Sequence, residues 1–167
     1  MQELKKKDRE ELSKHIYEAV MHKLSDDIRD MVLEYLAKEG IIKEEIKVPI
    51  SIFKNILGPL EALVKYLKEY QNLRFHDIAK RLNRDDRTIW ITYRNSLSKY
   101  VEISITHKVK VPLHIFYDRN MSILEHLTVY LKEDLDLSNK EIASLLDKDV
   151  NTIWTAYHRA KIKRMIK

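Results

Sequence analysis

The sequence predicts a mainly α-helical fold: an N-terminal helical hairpin, then two tandem three-helix units, with a short β-hairpin or extended connector between them. Three observations carry this. Residues 60–93 recur 64 positions later as 124–157 with 16 of 34 positions identical, and a fixed-period duplication means one folding unit used twice. Apolar residues recur at the 3–4 spacing of buried helix faces. Two glycines and three prolines in 167 residues leave little room for tight turns.

The shared positions are ordered. They read L-E-x-L-x-x-Y-L-K-E, then I-A-x-x-L, then D-x-x-T-I-W-x-x-Y. A preceding V-P-x-x-I-F recurs as Val48–Phe53 and Val111–Phe116 at an offset of 63, so the second copy holds one extra residue before Leu124. The implied division is 1–47, 48–104 and 105–167.

In the first segment, Leu12, Ile16, Ala19, Val20 and Leu24 form one apolar stripe, and Ile28, Met31, Val32, Tyr35 and Leu36 a second. Ser25 with Asp26 and Asp27 can cap the second helix by accepting its free amide protons. Gly40 fits a left-handed cap after it. The stripes must bury against something: either the first repeat, or a second copy of the chain or another protein.

Each repeat reads as three helices. The first runs from about Pro59 to Tyr70, with Leu60, Leu63, Val64 and Leu67 on one face; Leu124, Leu127 and Leu131 serve its copy. The second is short, about His76 to Leu82, with Ile78, Ala79 and Leu82 inward. In the copy, Ser138 and Glu141 form a capping box. After a break at Asn83–Asp86 or Asp147–Val150, Asp85 and Asp149 cap a third helix, whose inner face in the first unit is Ile89, Tyr93 and Leu97. Between the units, Val101, Ile103 and Ile105, then Val109 and Val111, alternate with polar residues about Thr106-His107-Lys108. That period predicts a hairpin, either a connector or a wing with Lys108 and Lys110 at its tip.

A short helix with a small central alanine (Ala79, Ala143), a four-residue turn and a longer capped helix is the helix-turn-helix pattern. Leu137 to Arg164, LSNKEIASLLDKDVNTIWTAYHRAKIKR, resembles region 4 of bacterial sigma factors and the related response-regulator output domains. These share an L-[ST]-x-x-E-I-A-x-x-L opening, a recognition helix and a basic tail. The first copy resembles it less, since Arg74 replaces the capping serine. Such families place glycine or another small residue at the turn; Asn83 and Asp147 stand there, and both tolerate left-handed backbone. The resemblance covers about 40 residues in each unit and none of residues 1–47. It implies double-stranded DNA as partner and a role in transcription control, with a homodimer or a protein of the transcription machinery as the partners open to residues 1–47.

Charge agrees in sign. Residues 1–47 carry net −2, 48–104 net +4 and 105–167 net +3, which together give the chain's +5. The positive balance thus lies in the duplicated units, as phosphate binding favours. Positions two, five, six and nine of each third helix point away from the core. Arg87, Trp90, Ile91 and Arg94, with Asn151, Trp154, Thr155 and His158, are therefore the expected base contacts, arginine forking to guanine and asparagine to adenine. They differ between copies, which predicts a non-palindromic site with two unlike half-sites per chain; perfect two-fold symmetry within one chain's footprint would count against it. Trp90 and Trp154 adjoin the core stripe, and burial against the V-P-x-x-I-F strip or between units is expected of them ahead of contact with a thymine methyl. Lys80, Arg84, Lys99, Lys148, Lys161, Lys163 and Arg164 are the expected phosphate contacts.

Other classes find little footing. There is no cysteine, hence no disulfide, thiolate metal site or thiol nucleophile. No two of the seven histidines pair with a carboxylate at a ligand spacing, and no G-x-S-x-G, H-E-x-x-H or glycine-rich phosphate loop occurs. No enzyme activity, metal or cofactor is expected. Without an 18-residue apolar run or a secretion signal, no membrane span is expected, and the cytoplasm is the expected compartment. The competing class is a protein-interaction or oligomerisation adaptor built on degenerate helix-turn-helix units, since fold does not prove function.

Overall fold

Two copies of Lys-Val-Pro pair with each other at the centre of the fold. In the computed structural model, β1 (Lys47–Pro49) and β2 (Lys110–Pro112) form a two-stranded antiparallel sheet with Lys47 opposite Pro112, Val48 opposite Val111 and Pro49 opposite Lys110. Both valines are fully buried. Proline cannot donate to a ladder, so each strand ends at its proline and tightens into a 3-10 turn, η1 (Ile50–Phe53) or η2 (Leu113–Phe116). The structure describes residues 45–54, 56–105 and 109–166, together with Ile28 and Met31 of the N-terminal stretch. The chain divides into compact units at 1–44 and 45–167, and the sheet with its flanking helices belongs to the second. The expected N-terminal hairpin lies outside the described residues; Ile28 and Met31 are helical and exposed.

Six helices follow the strands, three after each: α1 (Pro59–Glu69), α2 (Phe75–Arg81) and α3 (Asp86–Leu97), then α4 (Ile123–Glu133), α5 (Asn139–Leu146) and α6 (Val150–Met165). Those of the first repeat start and stop within a residue or so of the expected bounds. Pro59 opens α1, where its missing amide proton costs nothing. Gly58 before it has no side chain, so only half a capping box forms, Gly58 N donating to Glu61 Oε2 at 2.7 Å. Ser122 completes the box on α4: its amide donates to Glu125 Oε2 at 2.7 Å and its hydroxyl accepts from Glu125 N at 3.2 Å. The expected Ser138–Glu141 box on α5 is present.

Turn chemistry repeats at the same offset. Asn83 and Asp147 take φ of 50° and 51°, and Asn72 and Asp136 take 50° and 52°. Short polar side chains bear this left-handed backbone better than most residues. Beyond the bends, Arg84 N donates to Ala79 O at 2.9 Å and Lys148 N to Ala143 O at 3.0 Å, the six-to-one bond that satisfies a helix's last carbonyls.

The core follows suit. Leu63, Leu67, Ile78, Leu82 and Ile89 are fully buried, and so are Leu127, Leu131, Ile142, Leu146 and Ile153, each 64 residues on. Both sets belong to one continuous cluster that includes Val48, Val111, Phe53 and Phe116. The polypeptide between the units therefore runs along a shared core.

Two local expectations are corrected. Residues 110–112 pair with 47–49, and Val101–Ile105 carries no regular secondary structure. The period-2 burial there is real, since Ile103 is buried, but it comes from an extended connector lying on the core. Tyr70 Oη, not a strand, donates to Ile103 O at 3.2 Å. Thr106–Lys108, the supposed wing tip, lies outside the described residues. Leu97 is 42% exposed while Ser96 is fully buried: seven residues from Ile89 return to the same helix face better than eight. Ser96 satisfies its hydroxyl by donating to Tyr93 O at 2.6 Å.

Phe116 is buried between Phe53 and His126, with ring centroids 6.2 and 6.3 Å away. We expect Phe116→Ala to lower unfolding free energy by about 3–5 kcal/mol, the range for losing a buried aromatic and leaving a cavity. Urea denaturation monitored by circular dichroism measures it, and a loss below about 1 kcal/mol would mean the strand-and-turn seam is not part of the cooperative core.

Candidate nucleic-acid interface

Each repeat sets a short helix, a left-handed bend and a longer helix in succession, α2–α3 in the first and α5–α6 in the second. Ile89 and Ile153 anchor α3 and α6 inward, and at the rim Tyr93 Oη donates to Glu69 Oε1 at 3.2 Å while Tyr157 Oη donates to Glu133 Oε1 at 3.1 Å. Asp85 caps α3, accepting from Thr88 N at 2.7 Å and Thr88 Oγ1 at 2.6 Å; those two bonds hold its carboxyl below the usual range. Asp149 caps α6 by accepting from Asn151 N at 2.7 Å.

The opposite faces carry the residues singled out from sequence. Arg87, Trp90, Ile91 and Arg94 are all exposed on α3; Asn151, Trp154 and His158 are exposed on α6, and Thr155 is half-buried. The expectation that the tryptophans pack inward is corrected. Trp90 is 44% and Trp154 55% exposed, because the core position is taken by the isoleucine before each and the indole projects past the stripe. Each ring finds a partner one turn on: the Arg94 guanidinium sits 4.9 Å over the Trp90 centroid, and Trp154 stacks on His158 at 5.0 Å with planes 6° apart. Both helices thus present a flat aromatic surface with a nitrogen-rich group laid on it.

The basic flanks divide into two groups. Lys99 Nζ donates to Glu61 Oε2 at 2.6 Å, Lys163 Nζ to Glu125 Oε2 at 2.7 Å and Arg164 to Glu133 Oε2 at 2.7 Å. These three reach back and tie the end of the recognition helix to the first helix of its unit. Lys80 and Lys161 are exposed, Lys161 lying 5.6 Å over the Tyr157 ring, and Lys148 is half-buried. Arg84 is half-buried with its Nε lacking a hydrogen-bond partner among the described residues; burial and the nearby Arg119 charge lower its pKa.

The ties were missed from sequence, although their signal is there: the glutamate of L-E-x-L and the lysine 38 positions on both recur at the 64 offset. Arg159 was missed too. With Asn151 and Thr155 it lines an open cleft of about 330 Å³ against the start of α4. The two N-termini also differ in charge. Asp86 adds a second carboxylate at α3, held by His76 Nδ1 at 3.0 Å from Oδ2, whereas the first turn of α6 has no acid and begins with Val150. Among the described residues no cluster of metal-ligating side chains occurs, and no helix is long and apolar enough to cross a membrane.

Residues 121–163, which span α4 to α6, match the family model of sigma-70, region 4. Comparison with curated proteins and with solved structures gives no match. The matched stretch is the one in which the capping box, left-handed turn and recognition helix stand together.

Exposed indoles contribute little to stability. Trp90→Ala should change it by about 1 kcal/mol or less, as for a surface substitution; a melting-temperature loss on the scale of the Phe116 variant would put the ring back in the core. The tie at Glu125 behaves differently. Burial raises the Glu125 pKa, but the Lys163 bond, the Ser122 amide and the Lys163 charge outweigh it, so the net shift is downward. A depressed folded-state pKa gives stability that is present above the unfolded value and lost as pH falls through the folded one. Glu125→Gln should therefore lower stability at neutral pH and flatten the acid limb of the stability–pH curve; an unaltered acid limb would count against the tie.

Proposed function

We propose that this chain binds double-stranded DNA sequence-specifically, in transcription control, and reads two unlike half-sites with its two helix-turn-helix units. One observation carries the reading: α3 and α6 are each pinned by a fully buried isoleucine and turn outward the residue types that read base edges. Arg87 and Arg94 offer forks to guanine, Asn151 a bidentate pair to adenine, and Trp90, Ile91, Trp154 and Thr155 apolar contact to thymine methyls. The similarity of residues 121–163 to sigma-70 region 4 supports it independently.

The geometry refines the division of labour. Lys80, Arg84, Lys148 and Lys161 serve as phosphate contacts that set register, while Lys99, Lys163 and Arg164 act first as internal ties. A helix N-terminus attracts phosphate through its free amides and dipole. Asp86 works against that on α3, and its absence from α6 gives the second unit the larger share of backbone affinity.

A second reading has its own observation. Trp90, Ile91, Leu97 and Trp154 are exposed apolar groups, a composition that also suits a protein partner. Salt separates the two. A DNA reader loses affinity for duplex steeply as salt rises through counterion release, and an adaptor binds no duplex at physiological salt. Within the DNA reading, Arg87→Ala should weaken the preferred site by about 1–3 kcal/mol and spare random duplex, whereas Lys161→Ala should weaken both and flatten the salt slope. Equal small losses on both DNAs from Arg87→Ala would move that residue to the phosphate class.

A further inference from the structure

We infer that the two half-sites are inverted with respect to each other, so that one chain takes an imperfect palindrome. The inference rests on the DNA reading above and adds the orientation, which neither the duplication nor the recognition residues determine. A chain with two similar units can hold them head to tail, favouring a direct repeat in the DNA, or about a two-fold axis, favouring an inverted one.

The contacts across the strand seam are reciprocal. At the offset of 63, Lys47, Val48 and Pro49 correspond to Lys110, Val111 and Pro112. The valines pair with each other, Lys47 with the proline of the other copy and Pro49 with its lysine. Just beyond, Ile50 N donates to Val109 O at 3.1 Å, and the corresponding Leu113 N donates to Ile46 O at 2.8 Å. Phe53 meets Phe116, its own counterpart, at 6.2 Å. When residue i of one copy meets j of the other and j meets i, the interface is isologous and the operation is a two-fold rotation. A head-to-tail arrangement would join unlike surfaces and could not pair a segment with its own copy.

Within each repeat, the ties from α1 to α3 and from α4 to α6 recur with the same atoms: Glu61–Lys99 and Glu125–Lys163, Glu69–Tyr93 and Glu133–Tyr157. Each unit thus keeps its internal geometry, and η1 packs on α1 as η2 packs on α4; carried through those contacts, the rotation that exchanges the strands brings α3 to the place of α6. Two recognition helices so related face inverted half-sites, as in symmetric helix-turn-helix dimers. The sequence then says where the palindrome breaks. Trp90 and Trp154 are identical and face equivalent steps, while Arg87 against Asn151, Ile91 against Thr155 and Arg94 against His158 read different bases.

The test is selection from a random duplex library with the full chain, repeated with the triple variant Arg87→Asn, Ile91→Thr, Arg94→His, whose melting temperature is checked first. These positions are exposed on α3. The expected motif is two inverted, unlike half-sites for the natural chain and a symmetric inverted repeat for the variant. Reversing one half-site in the selected duplex should weaken binding by about tenfold or more. A direct repeat, or enrichment of a single half-site, overturns the inverted arrangement and leaves the DNA reading standing. No enrichment over random duplex overturns both.

Discussion

Everything in residues 45–167 hangs on the pairing of Val48 with Val111. Three helices of about 40 residues have too little interior to stand comfortably alone, because a chain that short buries a small share of its surface. Bringing the two Lys-Val-Pro segments together lets Phe53 and Phe116 share one apolar seam, and the leucines and isoleucines of both repeats become a single core. The prolines matter as much as the valines. By ending each strand after three residues they prevent the sheet from growing, so the seam is a clasp between helical units.

Much of the helical architecture was legible because the relevant physics is local. Aspartate before a helix, serine three residues before glutamate, and Asn or Asp after a helix each satisfy backbone groups within a few positions, and each was found where its chemistry placed it. The strand partner was not legible. Val101–Ile105 and the Lys-Val-Pro segment after it both alternate, and alternation reports a half-buried extended chain without naming its neighbour. The relevant clue was the repetition of V-P-x-x-I-F itself, since a segment that occurs twice can pair with its own copy.

The outward placement of the candidate residues was legible, and their packing less so. Placing eight positions on the outer faces of α3 and α6 needed only helical periodicity. Trp90 and Trp154 were expected inside on the ground that large apolar rings avoid water. That argument neglects what an exposed indole does when a guanidinium or imidazole lies one turn away: the neighbour covers one face, and the cost of leaving the ring in water falls. Lys99, Lys163 and Arg164 show what periodicity leaves out, which is partners within the chain. Basic residues at a helix end suggest phosphate, yet a carboxylate withdrawn from water needs a cation, and half-buried Glu61 and buried Glu125 sit within reach because each also caps the helix it belongs to.

Because the clasp lies within one polypeptide, the arrangement of α3 and α6 does not depend on how much protein is present. In a dimer of single units the same seam would have to form by collision and would dissolve on dilution. Here the connector between α3 and β2 keeps the strands at an effective concentration far above that of any solution in the cell. The covalent link has a second consequence for heredity. A substitution in a homodimer alters both recognition helices at once, so every trial is made twice. In this chain one helix can change while the other does not, and the two do differ, with Arg87 and Arg94 on α3 where α6 carries Asn151 and His158.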